Sequence, residues 1–117
     1  MAYLTREAIL AAEDKQYEDI AVPEWGGTVR IVGLTGTERD KLEASVVGKT
    51  GKNLNLTNFR ARLVALCVVD DSGSRLFSDM DIAALGRKSA AALERIFSVS
   101  QRLSGLSDED VAELVGE

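Results

Sequence analysis

A chain of 117 residues with 45% hydrophobic content can bury roughly two-thirds of its unfolded surface in one core, and it is too short for a second. Its net charge of −5, its lack of histidine and its single cysteine argue against a nonspecific nucleic-acid binder, a disulfide framework, a conventional zinc site and a histidine-based triad. The expectation is a single domain over residues 1–117, with no catalytic, cofactor-binding or metal-ligating residues.

The only aromatics are Tyr3, Tyr17, Trp25, Phe59, Phe77 and Phe97, so the core must be built from Leu, Ile, Val and Ala, which favours packed helices. No apolar stretch approaches the roughly 20 residues of a membrane span, and the first residues lack the basic-then-apolar pattern of a signal peptide. A cytosolic protein without a membrane partner is expected.

In chain order, Thr5 is placed to cap a short helix through Glu13, with good helix formers behind it and an acid in the first turn. It is short enough to fray. Tyr17, Ile20 and Val22, then a turn at 23–27 carrying Pro23, Trp25 and two glycines, then Val29, Ile31 and Val32 predict two strands joined as a hairpin. Thr35 and Glu38 have capping-box spacing, which predicts a helix to about Val47 with Leu42, Val46 and Val47 on its apolar side. Residues 48–53 hold turn formers and cations with nothing apolar to bury, and predict a mobile loop.

The most apolar part of the chain is 63–69, entered through Phe59, Arg60, Ala61 and Arg62. At about 100° per residue Phe59, Leu63, Leu66 and Cys67 share one side, while Val64 and Val68 fall opposite, so the second half of a helix here is apolar nearly all round. Phe59, Leu63 and Leu66 are expected in the core. A buried strand is the competing reading for 63–69, since two valines end the run; the lead-in at 57–62 lacks the alternation of a strand. Asp70 to Ser74 then supply turn chemistry, and Arg75, Leu76 and Phe77 suffice only for an extended edge or docking segment.

Ser78 and Asp81 open a helix of about two turns that ends at Gly86, with Ile82 and Leu85 inward. Residues 89–104 give the strongest periodic signal: Leu93, Ile96, Phe97 and Leu103 lie within a stripe of about 120°, with Glu94, Arg95 and Arg102 outside it. Ser107 and Asp110 cap a short terminal helix carrying Val111, Leu114 and Val115, which must dock on something or stay partly melted. Together these elements predict an α+β, mainly helical fold, with an N-terminal β-hairpin followed by a small bundle of about four to five helices around a central apolar helix.

Three polar constellations suggest chemistry, and each has a plainer explanation. Gly48, Lys49 and Thr50 match the end of a phosphate loop, but Glu43 stands where that motif needs its first glycine, and the segment follows a helix rather than a strand. Asp70, Asp71 and Gly73 suggest a calcium loop, yet its register would place Asp79 where a glutamate belongs; a helix-ending turn accounts for the same residues. Asp79 and Asp81 are two apart, so they point to different sides of a helix, and Asp81 has a capping role. Cys67 sits in the most apolar run and reads as a small hydrophobe. Apolar helix surface is what remains for function. The stripe Leu93, Ile96, Phe97 and Leu103 reads first as core and, failing that, as a groove for a partner helix; Val111, Leu114 and Val115 are the other candidate partner-binding set.

The layout resembles the tail assembly chaperones of long-tailed bacteriophages. The resemblance rests on the segment from Val22 through Gly27 with Val29 and Arg30, on Leu34 to Asp40, on Phe59, Arg60 and Ala61 before the apolar run, and on Asp71, Gly73 and Leu76 to Asp79 before a Leu-rich helix. It implies a non-enzymatic assembly factor that binds the tape measure protein, keeps it soluble and helps recruit tail tube subunits, with self-association also possible. Such a factor works in the host cytoplasm, for a phage or a prophage, and is absent from the mature virion. Families of this kind often also make a longer product by ribosomal frameshifting. A head-to-tail joining or tail completion protein is the alternative, and a regulatory or antitoxin-like module is a remoter one that the acidic charge disfavours.

Overall fold

The computed structural model describes residues 3–46 and 58–114, with the side chains of Val46 and Leu114 left aside. The loop expected to be mobile at 48–53, and with it the phosphate-loop candidate, lies outside the described residues, as does Val115. Thr5 caps α1 (Arg6–Ala11), its hydroxyl accepting the Ala8 N–H at 3.1 Å. No residue of α1 is buried.

The predicted hairpin forms from β1 (Tyr17–Val22) and β2 (Gly27–Val32), antiparallel with Asp19 opposite Arg30 and Ile20 opposite Val29. A 3₁₀ turn at Pro23–Trp25 ends on Gly26 at φ 74°, a left-handed conformation that glycine adopts without penalty, and Trp25 packs from this turn against the core. Strand alternation sends Glu18, Ile20, Val22, Val29 and Ile31 to one face, where Val22 and Ile31 are fully buried. On the other face Arg30 holds Asp19 by two hydrogen bonds of 2.9 and 3.1 Å and lies 4.5 Å from the centre of the Tyr17 ring.

The helix α2 (Gly36–Val46) starts with the expected capping box: Glu38 accepts the Thr35 N–H at 2.8 Å, and the Thr35 hydroxyl accepts the Glu38 N–H at 3.1 Å. Central helix α3 (Phe59–Cys67) buries Phe59, Ala61, Leu63, Val64, Ala65 and Cys67. Two expectations for the central run need correction. The helix stops at Cys67, and Val68 and Val69 form β3 (Val68–Val69), which adds to β2 with Ile31 opposite Val68. The competing strand reading thus holds for the last two residues, because β-branched valines suit the pleated edge that β2 leaves open. Leu66, expected in the core, is only half-buried, since its side of α3 faces a cleft.

Beyond β3 the Asp70 carboxylate closes the turn, accepting the N–H groups of Ser72 and Ser74 at 2.9 and 3.0 Å while Gly73 takes φ 89°. Arg75 then bridges to Val69, the expected extended segment. Asp81 accepts the Ser78 N–H at 2.8 Å and so starts a 3₁₀ turn that continues into α4 (Ile82–Leu85), with Leu85 buried. Helix α5 (Ala90–Leu103) is capped by the Ser89 hydroxyl, which accepts the Ala92 N–H at 3.3 Å. It ends in a Schellman motif: Leu106 N–H reaches Gln101 C=O, Gly105 N–H reaches Arg102 C=O, Gly105 sits at φ 71°, and Leu106 is buried. Reciprocal bonds between Ser107 and Asp110, both 3.0 Å, open α6 (Asp108–Leu114).

The fold is therefore α+β and mainly helical, with the hairpin widened to a three-stranded antiparallel sheet of order β1-β2-β3. Helix α5 packs along α3 and against β1 and β2, while α2 and α4 cover other sides of α3. Arg95 of α5 grips Glu24 in the hairpin turn at 2.7 and 3.0 Å, and Arg102, two turns on, reaches Glu18 of β1 at 2.8 Å. At the far end a Cβ on Gly33 would collide with the Leu103 carbonyl, so only glycine lets the end of β2 touch the end of α5. The Ser104 hydroxyl accepts the Leu34 N–H there at 2.9 Å.

Two predictions follow from this packing. Leu63→Ala, at a site with no exposed surface, should lower stability by about 2–5 kcal/mol, seen as a lower urea midpoint at constant slope. The second concerns Glu24, whose carboxyl falls from 4.5 to about 2 chiefly through its hydrogen bond to Arg95. A depressed folded value means the contribution is complete above the unfolded carboxyl range and fades as pH falls through about 2. Glu24→Gln should therefore lower Tm at pH 7 and change it little near pH 2; an equal loss at both would count against the ion pair.

Candidate functional site

The apolar stripe of α5 faces inward. Leu93, Ile96 and Phe97 are buried, and Phe97 meets Phe59 of α3 edge to face, with ring centres 6.0 Å apart and planes at 64°. Leu103 is half-buried beside Gly33, and Val111 of α6 is half-buried against the same core. Leu114 closes α6. Of the candidate partner-binding residues, the fold thus joins Leu93, Ile96, Phe97, Leu103 and Val111 in one cluster whose main contacts are internal.

Exposed apolar surface gathers elsewhere. Tyr3 is 95% exposed, Leu4 75%, Ile9 56% and Leu10 68%, all within the N-terminal segment that ends in α1. Single exposed hydrophobes are ordinary, but here four stand within eight residues, Tyr3 and Leu4 just before α1 and Ile9 and Leu10 on it, beside a helix that buries none of its residues. A helix of this length is marginal in water on its own. From sequence this segment reads as a short capped helix; the signal for its exposed apolar surface is the pairing of Tyr3 and Leu4 with Ile9 and Leu10 around polar neighbours.

A second feature is a cleft of about 380 Å³ between α2, α3 and the start of α4. Leu42, Leu66 and Ile82 line it with apolar surface, and Lys41, Arg62 and Arg75 stand around it with Glu38 and Asp79. Arg75 is held at the wall by the Ala65 carbonyl, 3.2 Å from its Nε, and reaches Asp79 at 3.5 Å.

The polar candidates resolve into local structure. The Asp70 carboxyl is held below its usual range by the Ser72 hydroxyl and the backbone N–H groups of its own turn, which uses its oxygens to close the chain. Asp81 caps the turn at Ser78 while Asp79 faces Arg75, so the two aspartates serve different partners. Burial pushes the Cys67 thiol up to about 11, and its sulfur lies 3.9 Å from the Ser104 oxygen, so it stays a protonated core group. Among the described residues no three His, Cys, Asp or Glu side chains converge on a point that could hold a metal ion. Nor, among the described residues, is any helix long and apolar enough to cross a membrane.

No family model matches the sequence, and no curated protein matches it significantly. Among solved structures, the bacteriophage HK97 tail assembly chaperone aligns with a TM-score of 0.61 over 87% of this chain and 95% of its own, at 16% identity. Agreement over nearly the full length of both chains, at so low an identity, is agreement in fold. The chain has the fold of a bacteriophage tail assembly chaperone.

Proposed function

We propose that this protein is a non-enzymatic chaperone of phage tail assembly, which binds the tape measure protein, keeps it soluble in the host cytoplasm and helps recruit tail tube subunits without entering the virion. The observation that carries this reading is the fold, which aligns along 87% of the chain with a tail assembly chaperone. The surface supports it. A factor that holds a long, aggregation-prone client needs apolar contact area and enough charge to stay dissolved, and the N-terminal segment and the net charge of −5 supply these.

The first client contact on this reading is the apolar surface of Tyr3, Leu4, Ile9 and Leu10. The terminal turn with Val111, Leu114 and Val115 is the second. The buried α5 residues Leu93, Ile96 and Phe97, with Leu103, act by holding the sheet and α3 in place. Because α1 buries nothing, charges placed on it leave the folded core intact, and surface changes of this kind move stability by about 0.5 kcal/mol or less.

The test is co-expression with the tape measure gene of the same phage. The wild-type chain should raise the soluble fraction of that protein and co-purify with it. The double variant Ile9→Asp, Leu10→Asp should keep its Tm and lose most of the co-purified client. Truncation after Ser107 separates the second contact, since loss of client at unchanged Tm would support it and loss of Tm with client retained would make α6 part of the core. A soluble fraction indifferent to the wild-type chain, or recovery of the protein in purified virions, would overturn the chaperone reading.

A further inference from the structure

We infer that the open edge of β1 is a binding site in its own right, and assign its occupant as an extended segment of another protein that joins the sheet as a fourth, antiparallel strand. The inference stands on main-chain hydrogen bonding and is independent of which client the chaperone reading names.

The ladder fixes which groups are open. Gly33 N–H donates to Gln16 C=O at 3.2 Å, and these two residues continue the register that sets Tyr17 opposite Val32. Bonded pairs alternate along an antiparallel ladder, so Glu18, Ile20 and Val22 exchange bonds with β2, while the N–H and C=O groups of Tyr17, Asp19 and Ala21 point out from the sheet. Pairing runs one to one from Tyr17 to Val22 without a bulge, and proline enters only after the strand, at Pro23. At the opposite edge the chain closes the sheet itself: Leu76 N–H donates to Val68 C=O at 3.1 Å, and Asp70 N–H to Ser74 C=O at 2.9 Å. Among the described residues nothing does the same for β1, and Tyr17, Asp19 and Ala21 are exposed.

A row of open donors and acceptors at strand spacing is matched along its length by another extended backbone. The side chains select its character. Arg102 holds Glu18 at 2.8 Å and Arg30 holds Asp19 at 2.9 and 3.1 Å, so an incoming strand meets carboxylates that already have cations. Its neighbours are the half-buried Ile20 on the core face and Tyr17, 60% exposed, on the outer face. Uncharged β-branched or aromatic side chains suit both. A second copy fits less well, because the two-fold pairing that engages all three outward residues sets Asp19 directly opposite its counterpart, an arrangement that like charges resist.

The test uses the full chain and a synthetic peptide of about eight residues, long enough to span β1, with valine and threonine alternating between solubilising terminal lysines. A twin N-methylated along its backbone keeps the side chains and cannot donate hydrogen bonds. Amide exchange followed by NMR should show the Tyr17, Asp19 and Ala21 N–H groups exchanging fast in the free chain and slowing about tenfold or more at saturating peptide, with those of Glu18, Ile20 and Val22 slow throughout. The methylated twin should give no such protection. Ala21→Pro removes one outward donor and no ladder bond, so it should keep the fold by circular dichroism and weaken the peptide about tenfold or more. Should that variant not fold, the exchange measurement on the unaltered chain decides. Protection of the three groups in the free chain would mean that the chain covers its own edge, and protection that grows with protein concentration would make the occupant a second copy. Either result would overturn the assignment, as would equal effects of the two peptides or no protection by the unmethylated one.

Discussion

Everything in this fold follows from the need to cover α3. A helix whose buried residues lie on more than one side cannot be satisfied by a single neighbour, so separate elements must close around it. Helix α5 does so along one side, α2 and α4 along others, and β3, which continues from its end, ties it to the sheet. Helix α5 has a second task, because it also covers the inner face of the hairpin. That double duty explains its strong segregation of apolar and polar residues: one side is shared between α3 and the sheet, while Arg95 and Arg102 at its flank reach Glu24 and Glu18.

What could be read from the sequence is what short-range chemistry decides. The starts at Thr35, Ser78 and Ser107 are each set by a hydroxyl and a carboxylate three residues apart, and each forms as spacing alone implies. The hairpin and the amphipathic helix at 90–103 are legible for the same reason, since their periods are local. The strand at Val68 and Val69 is legible only as the competing reading of that run, because its partner Ile31 lies far back in the chain and the two valines are equally at home at a helix end. Nor could the period of α5 say whether its stripe meets the core or a partner. The structure turns Leu93, Ile96 and Phe97 inward and leaves large apolar side chains open at the N-terminal segment, whose local pattern implies only a short helix.

The two surfaces left over are different in kind. At the N-terminal segment the large exposed apolar residues are Tyr3, Leu4, Ile9 and Leu10. The cleft beside Leu66 has walls and a guanidinium held by the Ala65 carbonyl.

The join between the end of β2 and the end of α5 also bears on how the chain comes off the ribosome. Leu34 is held by Ser104, seventy positions later, and Glu18 by Arg102, eighty-four later. A nascent chain that has emerged only through α4 has its hairpin and its central helix but nothing to lay across them, and the space against Gly33 stays open until the Leu103 carbonyl arrives. Contacts this distant in sequence slow folding and defer it to the last stage of synthesis. Any product cut short before α5 is left with the most apolar stretch of the chain uncovered.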